Sequence, residues 1–276
     1  MADPERRIAL LIDADNAPAA KIDVILAEVA SHGAANVRRA YGNWKSPHLK
    51  GWEAVLHEYA IRPIQQFAYS SGKNASDMAM VIDAMDLLYA RNLDGFAIVS
   101  SDADFTPLVM RLLTDGVKVY GFGEKKTPAP FVNACSKFTY VEALGQPAGS
   151  GTATAGARLS AKELSADTRL VQMLRSAVDA VAGDDGWAHL GSIGSQVSNQ
   201  ASFDSRNYGY RKLSDLIEAT GLFEVKRDNK MVLVRDRPRA SGQWHGWRSE
   251  PDARVLAHAS GSLTCLAAAG EPSGVV

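Results

Sequence analysis

The sequence predicts an α/β domain built on one parallel sheet and followed by a small winged helix, and three observations carry that prediction. Residues 7–141 alternate short continuous apolar runs with helix-length amphipathic segments, the pattern of βαβ units in a sheet covered on both faces. Aspartates stand at the ends of two of those runs, Asp13 after Arg7–Ile12 and Asp102 after Phe96–Val99. In open α/β sheets that edge is where ligands bind. Finally, residues 168–235 give three amphipathic helices and then two alternating strands, the order of a winged helix.

In chain order, Arg7–Ile12 reads as a buried strand. Pro18 opens a helix with Ile22, Ile25, Leu26 and Val29 on its buried stripe, and Gly33 closes it. Asn36–Tyr41 is a second strand, and Trp52, Val55, Leu56 and Tyr59 mark the next helix. Ile61–Phe67 is a third strand, with Pro63 placing it at its start or at a sheet edge. A polar loop containing Lys73 leads into a long helix with Asp77 in its first turn; Met78, Val81, Ile82, Met85 and Leu88 are expected on its inner face. The strand Phe96–Val99 follows, then Ser100-Ser101-Asp102-Ala103-Asp104 and a helix burying Leu108, Val109, Leu112 and Leu113. Val117–Gly121, a short helix near Phe131–Cys135 and a strand near Phe138–Val141 complete the sheet, with right-handed crossovers.

Parallel strands bring all their carboxyl ends to one rim, so Asp13, Asp77, Asp102 and Asp104 can converge across about ninety positions of sequence. Like charges gathered there repel unless a proton or a cation intervenes, and hard oxygen ligands suit Mg²⁺ or Mn²⁺. Such an ion activates water for attack on phosphorus. Asn16 is placed to orient that water or a phosphate oxygen, and Lys73 to contact a phosphate. Two other readings stay open at this level. Asp102 and Asp104 also suit the N-cap of the following helix. Asp13-Ala14-Asp15 also fits the nucleophile motif of a haloacid-dehalogenase-like phosphatase, although Asn16-Ala17-Pro18 stands where a hydroxyl residue usually follows. Asp83 and Asp86 fit the solvated face of their helix.

Residues 146–164 are expected to form a flexible linker, rich in Gly, Ala, Ser and Thr at its start. In 165–237, Leu170, Leu174, Val178, Leu190, Ile193 and Val197 mark two helices, and Trp187 between them is expected as a core anchor. Leu213, Leu216 and Ile217 mark the third helix, stopped by Gly221, and Asp228-Asn229 turns the final hairpin. Arg206, Arg211 and Lys212 interleave with Tyr208 and Tyr210, a candidate phosphate-and-stacking surface for RNA. The alternative is that both tyrosines belong to the core. Residues 238–276 carry no periodicity and are expected to be disordered, with Trp244, His245 and Trp247 as candidate partner contacts.

The chain has 276 residues, 46% hydrophobic and 22% charged, with a net charge of −1. Nucleic-acid binding must therefore come from local patches and not from an overall basic field. Cys135 and Cys265 lie far apart and suggest neither a disulfide framework nor a zinc site. With no apolar run of membrane-spanning length and no signal-peptide core at the start, the expectation is a cytoplasmic protein without membrane contact.

Leu11-Ile12-Asp13-x-x-Asn16, the Lys73-x-x-x-Asp77 helix start and Ser100-Ser101-Asp102-x-Asp104-Phe105-x-Pro107 together resemble the NYN domain, in particular its LabA-like group within the PIN-like nucleases. The resemblance covers about residues 6–144. It implies a Rossmann-like sheet with helices on both faces and metal-dependent cleavage of RNA by Asp13, Asp77, Asp102 and Asp104. Ser101 departs from the glycine often found before the first acid of the third motif, and leaves the acids themselves intact. Gly186-Trp187, Phe203-Asp204-x-Arg206-x-Tyr208-Gly209-Tyr210-x-Lys212-Leu213 and Gly221-Leu222-Phe223 resemble the OST-HTH, or LOTUS, domain, which implies RNA binding or a protein partner. The combined expectation is a ribonuclease using Mg²⁺ or Mn²⁺ with a tethered RNA-binding winged helix, the partner being RNA and a homodimer remaining open. The alternatives are a non-catalytic RNA-binding regulator and a small-molecule phosphatase.

Overall fold

The computed structural model describes residues 5–67, 75–90, 92–145, 158–228 and 231–237. The expected turn lysine Lys73, the linker up to residue 157, Asn229 and the tail from 238 lie outside these residues.

The first sheet is six-stranded: β1 (Arg7–Asp13), β2 (Ala34–Gly42), β3 (Arg62–Gln65), β4 (Gly95–Val99), β5 (Lys118–Gly123) and β6 (Lys137–Tyr140). All of its pairings are parallel, in the order β3-β2-β1-β4-β5-β6. The order reverses between β1 and β4, which makes their carboxyl ends the topological switch point where open sheets bind ligands. Pro63 sits in β3, an edge strand where a missing N–H is tolerated.

The continuous apolar strands are explained by what covers them. Along β1, Ile8, Leu10 and Ile12 face one core with Ile22, Ile25 and Val29 of α1 (Ile22–Ala30) and Trp52 of α2 (Trp52–Glu58). Ala9 and Leu11 face the opposite core with Met80, Ala84 and Leu87 of α3 (Ala75–Ala90) and Leu108, Val109 and Leu112 of α4 (Thr106–Thr114). Phe131 of α5 (Ala129–Ala134) joins that second layer. A strand with period two and apolar residues on both sides has no wet face, so it reads as one run.

Of the expected inner face of α3, Val81, Met85 and Leu88 pack partly buried against the second core, and Met78 and Ile82 are corrected. Met80, Ala84 and Leu87 point to the sheet, whereas Met78 and Ile82 are 60% and 58% exposed. This helix is apolar on two sides, so periodicity alone does not choose between them. Asp83 decides the rotation, because it pairs with Arg39 and accepts a hydrogen bond from Tyr41, both on β2. Ala84 then provides the close approach that a bulkier side chain would prevent.

The second module contains α6 (Ala161–Ala166), α7 (Thr168–Val181), α8 (Leu190–Gln200) and α9 (Leu213–Thr220). Its three-stranded sheet pairs β7 (Ala188–His189) and β8 (Phe223–Asp228) with β9 (Met231–Asp236) between them, antiparallel. A short helix that starts within the expected linker packs onto this module. Ser160 forms a capping box with Glu163, and Leu164 of α6 is wholly buried in the same core as Leu174, Ile193 and Ile217. Trp187 is not the expected anchor: it is half-buried at the edge, with the Arg235 guanidinium 4.6 Å from its ring centre. Gly221 ends α9 with φ 70°, the left-handed cap that glycine adopts without strain.

The two modules are joined by direct contact. Asn207, in the short turn Ser205–Tyr208, accepts from the Tyr140 backbone N–H at 3.1 Å and donates to the Phe138 carbonyl at 2.9 Å. Its amide thereby continues the free edge of β6. Beside it, Thr139 donates to Asp204 at 3.0 Å. Arg206 donates to both oxygens of Glu28 on α1, at 2.7 and 2.6 Å, and to Asp204 at 2.6 Å. Lys137 adds ion pairs to Glu28 and Asp204 at 3.2 and 3.5 Å. Among the described residues, no helix is long and apolar enough to cross a membrane.

Candidate active site at the sheet rim

Asp13 closes β1 at the switch point and is 1% exposed. One oxygen, Oδ2, accepts from Ser100 Oγ at 2.7 Å and from Asn16 Nδ2 at 2.9 Å. The other, Oδ1, is buried without a partner. Burial pushes this carboxyl above its ordinary range, against the lowering effect of those hydrogen bonds. A buried carboxylate oxygen left unpaired costs free energy, and it marks a place where an ion, water or substrate atom completes the set.

Ser100 ties β4 to that acid. It is itself 1% exposed, and while it donates to Asp13 its oxygen accepts the Asp102 backbone N–H at 3.0 Å. Asp102 Oδ1 accepts from the Asp104 N–H at 2.9 Å, so Asp102 does cap the tight turn Ala103–Phe105 that leads into α4. Capping uses one oxygen of Asp102 and does not exclude a second role. Ser101, standing where the family often has glycine, accepts from the Glu124 N–H at 2.9 Å and anchors the turn to the loop after β5. Gly123, the last residue of β5, has no alternative, because a Cβ there would fall 2.6 Å from the Ser100 carbonyl oxygen.

Asp77 enters from the first turn of α3. Its carboxyl is pushed up to about 6, first by burial and then by the charges of Asp13, Asp102, Asp15 and Asp104. Those four aspartates act on it because the fold brings them to one rim. Asp15 is the residue that sequence reasoning left out of the site: it accepts a hydrogen bond from Ser76 on α3 at 2.9 Å. Its signal was the second acid of Asp-x-Asp-Asn. Asp83 is not part of the group, being committed to Arg39 and Tyr41.

The donor set fits a divalent cation of the Mg²⁺ or Mn²⁺ type: all oxygens, one buried and unpaired, and one acid whose carboxyl is pushed up by burial and by four neighbouring aspartates. Among the described residues, no three of these side chains already stand close enough to cage an ion.

On the second module the expected RNA surface divides. Arg206 is corrected to a junction residue, since Glu28 and Asp204 occupy its guanidinium. Tyr210 is a core residue, 7% exposed, donating its hydroxyl to the Leu159 carbonyl at 2.7 Å. Tyr208 is half-buried, with its ring against Phe203 at 5.9 Å, and burial pushes its hydroxyl up to about 12. Arg211 and Lys212 remain exposed. Docking against the first module claims Arg206, and the second module's own core claims Tyr210 and part of Tyr208.

A doubly covered parallel sheet with acids at its switch point, docked to a winged helix, defines a two-module α/β protein of the PIN-like kind. The chain carries an NYN domain, whose sequence model matches residues 7–142, and an OST-HTH/LOTUS domain matching residues 165–235. The first is a nuclease-type module and the second an RNA-binding type. An uncharacterized protein of Methanocaldococcus jannaschii is 31% identical over 123 residues, 43% of this chain and 48% of that protein. The chain thus matches about half the length of that curated relative. A solved structure of a protein of unknown function from Vibrio parahaemolyticus aligns with 51% of this chain and 95% of its own, at 18% identity and TM-score 0.42.

Proposed function

We propose that the protein is a ribonuclease that hydrolyses RNA phosphodiester bonds with Mg²⁺ or Mn²⁺ held by Asp13, Asp77, Asp102 and Asp104. The single observation that carries this reading is the convergence of acids on Asp77 beside the unpaired oxygen of buried Asp13. Acids held together against their repulsion are a standing cost, and such arrangements cluster at functional sites. When bound, the ion supplies an activated water and stabilises charge on the departing oxygen. The chain's own residues do the rest. Ser100 and Asn16 fix the orientation of Asp13 by their hydrogen bonds to its Oδ2. Asp102 holds the turn that carries Asp104. Asp77, whose carboxyl burial and then its acidic neighbours push up to about 6, would hold a cation as the carboxylate.

RNA reaches the rim with help from the winged helix, where exposed Arg211 and Lys212 supply phosphate contacts. Because that module is docked against β6, its contribution is a fixed surface and not a loose tether. The test is cleavage of RNA and of DNA of matched sequence, with and without Mn²⁺, by the wild type and Asp102→Asn. Metal-dependent RNA cleavage that Asp102→Asn lacks supports the reading. RNA binding without turnover by the wild type would make this a binding protein.

A further inference from the structure

We infer that Lys45, after β2, and Phe67, just after β3, form a single-strand binding subsite, in which an unstacked nucleobase lies on the Phe67 ring and Lys45 holds its phosphate. This rests on the ribonuclease reading and adds the substrate class: single-stranded RNA, read without strong base preference. Phe67 follows β3 at the same edge as the acids. Asp13 is paired with Tyr41 on β2, and Tyr41 with Ile64 on β3, so Ile64 lies two strands across, about 10 Å by ordinary strand spacing, and Phe67 follows three residues beyond it. A base seated there belongs to a nucleotide a few positions from the scissile phosphate.

A solitary exposed apolar side chain is ordinary on a protein surface. Phe67, 47% exposed, differs in its support and its neighbour. The backbone that carries it is laced to the β2 loop. Gln65 accepts from the Trp44 N–H at 3.0 Å and donates to Asn43 Oδ1 and the Gln66 carbonyl at 3.0 Å each. Trp44 donates its ring N–H to the Ile64 carbonyl at 3.1 Å, and the Gln66 N–H reaches the Gly42 carbonyl at 3.2 Å. All that bonding fixes a ring that no core requires.

The neighbour is Lys45, exposed, with its ammonium 5.0 Å from the Phe67 ring centre and no carboxylate partner among the described residues. An acidic rim repels a polyanion, so a flanking cation left unpaired is what draws the strand in. An aromatic face beside a cation is the combination that holds unpaired nucleotides, because every base has a π-face and stacking tolerates sequence. A duplex keeps its bases stacked on one another and offers this ring nothing.

The test measures binding of a short end-labelled uridine oligonucleotide, and of a ribose-phosphate oligomer of equal length without bases. The full chain carries Asp102→Asn to prevent turnover, and Arg211→Ala with Lys212→Ala so that the winged helix does not mask the rim. Phe67→Ala should weaken the uridine oligomer about tenfold and leave the base-free oligomer unchanged, with Phe67→Trp retaining affinity. Lys45→Ala should weaken both and flatten the salt dependence. Equal loss on both ligands with Phe67→Ala, no loss on either, or no binding of the uridine oligomer at all would overturn the inference. Cleavage by the wild type with Mn²⁺ is scored separately, so a failed platform and a failed ribonuclease reading give different results.

Discussion

Carboxylates are buried in two regions of this chain, and burial pushes all of them the same way. At the rim it raises Asp13, and with the help of neighbouring acids it takes Asp77 to about 6. At the module junction it also acts on Glu28 and Asp204, yet both end below the usual carboxylate range. The hydrogen bonds and charge of Arg206 reverse the sign there, with Lys137 adding to both acids and His32 to Glu28. Desolvation is thus common to the two places, and the partner decides. Charge that is paired holds modules together; charge left facing like charge stores affinity for something the chain does not itself supply.

The comparison breaks most decisively at Asp102. Asp102→Asn should abolish RNA cleavage to background while circular dichroism and the cooperative melt stay native. Residual cleavage at a tenth of the wild-type rate or more would remove Asp102 from the metal set. The converse is Arg206→Ala, which strands Glu28 and Asp204 at the junction. Breaking a fully buried pair costs about 3–5 kcal/mol; with Arg206 26% exposed, the expected loss is about 2–3 kcal/mol in denaturant titration. Cleavage of a short RNA at a temperature where the variant is folded should persist. An unchanged midpoint would mean that the junction is not what holds the second module.

Ser100→Ala tests how far the rim depends on orientation. It removes the 2.7 Å hydrogen bond to Asp13 but no proposed ligand. Removal of such a supporting bond costs about 10–100-fold in metal affinity or activity, so the Mn²⁺ concentration for half-maximal cleavage should rise.

The smallest effect is the most diagnostic. In chelator, the two regions should respond to acid with opposite sign. Asp77, raised in the folded state, destabilises when ionised, so stability should increase as pH falls from about 6 towards the ordinary aspartate value. Glu28 and Asp204, depressed in the folded state, contribute stability that is present above their ordinary values and lost as pH falls below them. Asp77→Asn should flatten the first slope only, and Glu28→Gln should reduce the second. If Asp77→Asn leaves the profile between pH 4 and 6 unchanged, the acids do not act on one another as the geometry requires.

Much of this was legible in the chain itself. Apolar runs of strand length ending in Asp13 and Ser100-Ser101-Asp102 specify buried parallel strands with acids at one edge, because the strand period and the parallel connection leave no other placement for them. Helix limits such as Thr168–Val181 and the stop at Gly221 follow from capping and backbone preference, which act within a few residues. What only the tertiary structure decided involves a choice between locally equivalent options. The helix bearing Met78 and Met80 is apolar on two faces, and Asp83 meeting Arg39 across the layers selected one. Arg206 and Arg211 look alike in sequence, but the docking of Asn207 on the edge of β6 set the first against Glu28 and left the second in solvent. Local sequence fixes periods and ends; which side is buried, and which charge finds its partner, depends on segments as far apart as Glu28 and Arg206, and only packing brings those together.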